Sequence, residues 1–338
     1  MIAALPLAAL AVGPTEQVIA INGAGCKLFG DGVVGRHFIT VLRQPSVAEA
    51  IETCLGGGPP TTARYLAREN GQDVDYDVSA GCIGSSGIVL LTFVDVTDVT
   101  AAGQMRRDFV ANVSHELRTP LTALMGFIET LQGPARDDAV ARARFLSIMR
   151  DEAERMNRLV GELLTLSRVE ASQRVRPKDT VDLGAVLGTT VRTLDAIAQA
   201  ANVTLAIETP DEALTVLADK DQLVQVFTNL IENAIKYGGR DRTVHVDLTR
   251  TTDGTVSRGP YAQVRVRDEG PGIDPVHLPR LTERFYRVDS HRSRALGGTG
   301  LGLAIAKHIL NRHRGYLKIA SRLGEGAEFT VFIPVAEE

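Results

Sequence analysis

His115 and Glu116 stand side by side in a stretch whose apolar residues, Val110, Leu117, Leu121, Leu124, Ile128 and Leu131, recur at three- and four-residue steps once Ser114 fills the one gap. That spacing predicts a helix that pairs with other helices. His115 follows the seam position and so belongs on the flank, within reach of solvent. An exposed imidazole can attack as a nucleophile, while Glu116 takes the proton from one ring nitrogen and leaves the other free. Pro120 lacks a backbone N–H and its ring crowds the carbonyl of Glu116, which predicts a kink one turn beyond the histidine. Taken alone, a His–Glu pair on a helix is as readily a solvated face as a site.

A second set of candidates lies far downstream. Gln225, Asn229, Asn233 and Lys236 fall on one helical face, with Tyr237 after them, while Phe227, Leu230, Ile231 and Ala234 form the opposite, buried stripe. A row of amides and a lysine suits a hydrated magnesium ion with phosphates, because magnesium takes oxygen ligands and keeps water. On composition alone it suits plain solvent. Asp268 directly follows a strand-like run and is followed by Gly270 and Gly272. A carboxylate there can accept from an amino group such as that of adenine, and the glycines let backbone approach a ligand. The same residues can also make a simple turn. Glu283 to Arg287 forms a third cluster. Gly298, Thr299, Gly300, Leu301 and Gly302 open a helix, whose exposed N–H groups and positive dipole end favour phosphate, although glycines there also serve tight packing.

These candidates must be positioned by three kinds of element. Residues 1–99 alternate short strand-like runs (18–22, 74–78, 88–94) with glycine-rich turns and a helical patch near 46–55, which predicts a small α+β domain. From Val96 the chain is helix-compatible and runs without a breaker into the His115 helix, which Gly133 and Pro134 end. Asp137 and Asp138 suit the start of a second helix, running to about Gln173 with Phe145, Met149, Met156, Leu159, Leu163 and Leu166 in register. Two amphipathic helices have too little core to stand alone, so residues 100–176 are expected to pair with a second copy as a four-helix bundle. Residues 177–338 read as α/β, with helices at 183–201, 220–237 and 301–313, strands at 203–208, 243–249, 261–267, 316–321 and 327–333, and a hairpin loop over 252–260.

The chain of 338 residues has a net charge of −4, which gives no case for nucleic acid as a partner. Cys26, Cys54 and Cys82 share no CxxC spacing, so reduced thiols are expected and not disulfides or a metal site. No apolar run is long enough to span a bilayer. Residues 1–12 are apolar but interrupted by Pro6, and lack a basic start and a cleavage site. A soluble, cytoplasmic chain is the expectation.

The stretch from Phe109 to Leu121 resembles the phospho-acceptor box of two-component sensor histidine kinases. The four downstream clusters, in this order, resemble the nucleotide-binding boxes of the GHKL (Bergerat) ATP-binding fold. The resemblance covers about residues 105–335. It implies ATP and magnesium as cofactors, autophosphorylation on His115, transfer to an aspartate of a response regulator, and homodimerisation. It implies that Asn233 is the magnesium ligand and that Lys236 and Arg287 contact phosphate. Tyr237 would flank the nucleotide, Asp268 would read adenine, with Gly270 and Gly272 shaping that pocket, and Thr299, Gly300, Leu301 and Gly302 would lie on the triphosphate side. Asn229 matches a position where hydrolysing relatives carry a glutamate, and an amide cannot activate water. Thr119 resembles the residue that positions water in the reverse phosphatase reaction. Residues 274–299, with Ser290 to Arg294, are implied to be a mobile lid. Ala123, Phe127 and Thr130 would select the regulator. Residues 1–99 resemble a PAS sensor domain. No cofactor is expected in it, since Cys26 is not set as in flavin-binding light sensors and His37 is a lone histidine. Details from Arg280 to Gly315 resemble phosphate-regulon sensors, which implies an upstream phosphate-signalling protein as a partner. Those sensors usually carry N-terminal membrane helices and this sequence shows none, which implies either a soluble member or one from which a membrane segment has been removed. A non-catalytic ATP-binding scaffold is the competing reading, against which His115, Glu116, Asn233 and the glycines stand. A GHKL ATPase of the chaperone or mismatch-repair kind is opposed by Asn229.

Overall fold

In the computed structural model of the protein, residues 2–69, 71–84, 86–172, 175–252, 259–289 and 298–336 are described. They fall into two compact units, Met1–Ala111 and Asn112–Glu338.

The first unit is one five-stranded antiparallel sheet with helices between its second and third strands. Strands β1 (Ala8–Val12), β2 (Val18–Ile21), β3 (Thr61–Glu69), β4 (Gln72–Cys82) and β5 (Val89–Asp95) pair in the order β2-β1-β5-β4-β3. Helices α1 (Gly23–Phe29), α2 (Phe38–Val41) and α3 (Pro45–Leu55) follow β2. The glycine-rich stretch after β2 is a helix because Asn22 caps it. The Asn22 amide oxygen accepts from the Gly25 N–H at 2.8 Å and ties it to β1 through the Ala9 N–H at 3.0 Å. Leu10, Phe38, Leu42, Ile51, Val78, Leu91 and Phe93 form the core. β1 and β3 escape the sequence reading for opposite reasons. The β1 residues Ala9, Leu10, Ala11 and Val12 are all buried, so they show no alternation. Strand β3 lies at the sheet edge and carries Arg64 and Arg68 on its exposed positions.

Helix α4 (Thr97–Gln132) begins one residue after β5 and is helical throughout, Pro120 included. The Asp95 carboxylate accepts from the Thr97 N–H at 2.9 Å and fixes its start. After the turn at Gly133, α5 (Ala139–Ser172) begins on Asp138, whose carboxylate accepts from the Val140 and Ala141 N–H groups at 2.9 Å, as the sequence suggested. Phe127 stacks on Phe145 at 5.2 Å between ring centres, and Glu116 meets Arg155, which sets the two helices antiparallel. Along the seam, Leu121 and Ile128 are 54% and 42% exposed within the single chain.

The remainder of the second unit is an α/β sandwich. Strands β6 (Thr180–Asp182) and β8 (Thr215–Leu217) make a small sheet. The main sheet is β11 (Tyr316–Ser321), β12 (Ala327–Pro334), β10 (Tyr261–Arg267), β9 (Arg242–Thr251) and β7 (Val203–Glu208), in that order. Only β7 and β9 run parallel. Helices α6 (Leu183–Ala200), α7 (Lys220–Tyr237) and α8 (Gly302–Arg312) cover one face, burying Leu187, Leu194, Phe227, Leu230, Ile231, Ile305 and Ile309 against Val246, Val264, Val266 and Val331. The three-residue strands β6 and β8 are too short for any periodicity to reveal. Among the described residues no helix is long and apolar enough to cross a membrane.

Candidate functional site

Helix α7 presents the site. The Asp219 side chain caps it through the Gln222 N–H at 3.2 Å, and its start is pinned from outside by His313. The backbone N–H of Asp219 can only donate, so the His313 Nε2, 3.0 Å away, must accept, and the Nδ1–H donates to the Ile309 carbonyl at 2.7 Å. Burial pushes the His313 imidazole below its ordinary range, which keeps that neutral tautomer in place. Arg312 adds an ion pair to Asp219 at 3.3 Å. These two residues at the end of α8 set α7, and nothing in their sequence pattern marked them.

A cavity of about 250 Å³ opens beside α7. Asn229, Asn233, Lys236 and Tyr237 line it from the helix, as the sequence expected, and Glu232 joins them. Gln225 is not among the lining residues. Asn229 is held by a bond from its Nδ2 to the Gly302 carbonyl at 3.0 Å, and Lys236 by Glu232 at 2.7 Å. Asp268, 5% exposed, lines the floor at the end of β10. Its Oδ1 accepts from the N–H groups of Gly270 at 2.9 Å and Ala327 at 3.3 Å, yet burial still pushes the carboxyl above its usual range.

Two of the glycines that line the cavity are required by geometry. Gly272 has φ +73°, and a Cβ there would come within 1.9 Å of the Arg322 carbonyl oxygen. Gly300 has φ +78°, with the Phe285 backbone 2.9 Å from where its Cβ would stand. Gly272, Gly298, Thr299, Gly300 and Gly302 line the cavity. Gly270 and Leu301 do not. Gly270 sits against the Tyr237 carbonyl, and Leu301 is fully buried, with its N–H donating to the Thr299 hydroxyl at 3.3 Å. Residues 290–297, which include Ser290 to Arg294 of the expected lid, lie outside the described residues.

His115 is exposed on α4, and the Thr119 hydroxyl, also exposed, donates to its carbonyl at 3.2 Å. The Glu116 carboxylate is engaged by two arginines. It takes Arg155 and Arg287 at 3.1 Å each, and the Arg287 side chain, 6% exposed, also donates to the Thr299 carbonyl at 2.6 Å. Helix α5 contributes a second clasp, since the Thr299 hydroxyl bonds the Glu162 carboxylate, which burial pushes above the ordinary carboxylate range. Glu170 pairs with Arg284. Thus Arg287 and Thr299, assigned from sequence to the nucleotide, here bridge to the helical hairpin. Glu116 was expected to act beside His115 and not to pair with these arginines, while Arg155 and Glu162 were legible only as helix-surface charges.

Two family models match the chain. The histidine kinase-, DNA gyrase B- and HSP90-like ATPase family matches residues 218–337, and the His Kinase A (phospho-acceptor) domain matches residues 105–172. The phosphate regulon sensor protein PhoR of Pseudomonas aeruginosa is 40% identical over 248 residues, which are 73% of this chain and 54% of that protein. The chain therefore spans about half the length of that relative. The sensor-like histidine kinase SenX3 of Mycolicibacterium smegmatis is 37% identical over 285 residues, 79% of this chain and 72% of that one. In fold, the solved structure of histidine kinase ThkA in complex with response regulator protein TrrA matches at a TM-score of 0.54 and 22% identity, over 98% of this chain and 96% of that one. With a hairpin that matches the phospho-acceptor model, a domain that matches the ATPase model, and relatives covering most of its length, the chain belongs to the sensor histidine kinase family.

Proposed function

We propose that the protein is an ATP-dependent protein-histidine kinase of a two-component system, which phosphorylates itself on His115 and passes the phosphoryl group to an aspartate of a response regulator. One observation carries the reading. A single cavity gathers Asn229, Asn233, Lys236, Asp268, Gly272, Thr299 and Gly300 from separated stretches, in the same compact unit that exposes His115 beside Glu116.

ATP is the substrate of this site. Asp268 accepts from the adenine amino group, and Tyr237 flanks the nucleotide. Lys236, Arg287 and the backbone N–H groups of Gly300 and Gly302 take the phosphates, at the start of a helix whose N-cap residue, Leu301, makes no side-chain cap. Asn233 fits magnesium, a hard ion that takes an amide oxygen together with phosphate and water. When bound there, magnesium neutralises charge on the transferring group. Asn229 cannot activate water, so ATP is spared for transfer. A ring nitrogen of His115 attacks the γ-phosphorus, the bond to the β-bridging oxygen breaks, ADP leaves, and Glu116 takes the ring proton. Glu116 and Arg287 are each other's partners in the arrangement described. Both serve transfer only after that pair opens, so this arrangement is a resting one.

The remaining assignments belong to the same reading. The chain divides into a PAS-type sensor (1–99), a dimerisation and phosphotransfer hairpin (100–176) and an ATP-binding domain (177–338). The strand order β2-β1-β5-β4-β3 supports the first, and the exposed Leu121 and Ile128 of the seam support a homodimer closed as a four-helix bundle. Likeness to a kinase solved with its response regulator supports that partner, chosen through Ala123, Phe127 and Thr130. Thr119 serves the reverse, phosphatase reaction. Likeness to PhoR supports a role in phosphate-starvation signalling with an upstream phosphate-signalling protein, on the cytoplasmic side where ATP is supplied. The test is incubation with γ-labelled ATP and magnesium. An acid-labile, base-stable label that His115→Ala abolishes is the expected result. Absence of label with ATP still bound would leave a non-catalytic scaffold.

A further inference from the structure

The sequence scatters its three cysteines, but the fold brings two of them together. Cys54 lies in the last turn of α3, 1% exposed, and Cys82 ends β4, exposed. The Cys82 thiol donates to the Cys54 carbonyl at 2.9 Å, which sets the Cys82 sulfur against the last turn of α3. The Cys54 thiol is turned inward, within 3.4 Å of the Ala80 carbonyl and 3.7 Å of that of Pro59. Glycines follow both residues, Gly56 and Gly57 after Cys54 and Gly84 after Cys82, with Gly57 and Gly84 at positive φ. The backbone on each side can therefore adjust toward the Cβ separation of about 3.8 Å that a disulfide needs. Cys26 lies apart from this pair, against Asp31.

We propose that Cys54 and Cys82 are a dithiol modification site that closes to a disulfide on reaction with a hydroperoxide. The Cys82 sulfur, facing solvent, attacks the peroxide oxygen. The O–O bond breaks, the hydroperoxide leaves as its alcohol or water, and Cys82 becomes a sulfenic acid. The Cys54 sulfur then attacks the Cys82 sulfur, the S–S bond forms, the S–O bond breaks, and the departing hydroxide leaves as water with the Cys54 proton. Two electrons pass from the pair to the peroxide, and thiol–disulfide exchange returns them. The division of labour follows from burial. Burial pushes the Cys54 thiol up and makes it a poor first nucleophile, but the Cys82 thiol held on its own carbonyl makes it the resolving partner. The product fastens the end of α3 to the end of β4.

The experiment treats the full reduced chain with hydrogen peroxide, then alkylates, digests with trypsin and maps the peptides. Cleavage after Arg64 and Arg68 separates the two cysteines. The expected product is a Cys54–Cys82 linked pair lighter by about 2 Da and reversed by dithiothreitol. Cys26→Ser should leave it intact. Cys82→Ser should leave Cys54 fully alkylated, and Cys54→Ser should hold Cys82 as a sulfenic acid trapped by dimedone. Oxidation of Cys82 to the sulfinic acid with Cys54 still alkylatable, or linkage of Cys82 only between chains, would overturn the proposal.

Discussion

Replacing Asp268 by asparagine separates recognition of the nucleotide from stability of the fold. The Asp268 Oδ1 accepts two backbone N–H groups, from Gly270 and Ala327. Asparagine must keep its carbonyl oxygen on those donors, because turning its NH2 toward them would set donor against donor in a buried place. The NH2 then faces the cavity, where the adenine amino group would also donate. One hydrogen bond to a charged acceptor is lost, worth about 1.5–3 kcal/mol. ATP affinity should fall roughly 10- to 150-fold. Stability should move the other way. Burial holds the carboxyl above its usual range, so the folded chain bears a desolvation cost that a neutral amide of the same shape lacks. Titration calorimetry with ATP and magnesium, alongside thermal melts near neutral pH, reads both. Affinity within about threefold of the parent, a difference of less than about 1 kcal/mol, would refute the reading of Asp268 as the base acceptor. A fall in melting temperature matching the affinity loss would show that the carboxylate is needed for the fold instead.

Glu162 gives a pH dependence with a defined sign. Its carboxyl is raised by burial, so the folded state holds the proton more tightly than the unfolded chain does. The stability this contributes is complete below the ordinary glutamate range, about 4.3, and is lost as pH climbs through the raised folded value. Glu162→Gln should flatten that loss in melts taken from acid to neutral pH, and parallel curves would mean that Glu162 loses no water on folding. Gly272→Ala must force a Cβ toward the Arg322 carbonyl from a left-handed backbone, and should cost about 2 kcal/mol or more in urea unfolding. A loss under about 0.5 kcal/mol would mean the loop gives way easily. Thr119→Ala removes a hydroxyl that now bonds the His115 carbonyl, which exposed backbone in a helix tolerates. It should slow dephosphorylation of the cognate regulator by about tenfold or more while autophosphorylation changes little, and an unchanged rate would remove Thr119 from that role.

The sequence alone determined the elements whose signal is local. The period of Leu117, Leu121, Leu124 and Ile128 fixed the His115 helix, and Asp138 fixed the start of its partner through a cap. Asn229, Asn233 and Lys236 fell on the polar face of α7 because a helix has one period and one buried stripe. Pairings between distant residues left no such trace. Nothing near Arg287 in the chain announces its ion pair with Glu116, and Glu162 reads as a surface charge until Thr299 bonds it. His313, Arg155 and the meeting of Cys54 with Cys82 were equally silent. The reason is physical. Periodicity and capping are set within a few residues of the chain, whereas which charge, imidazole or thiol loses its water to which partner is decided only when separate elements pack. That step also fixed the sheet order and the edge position of β3, whose charged alternation hid a strand that its neighbour β4 defines.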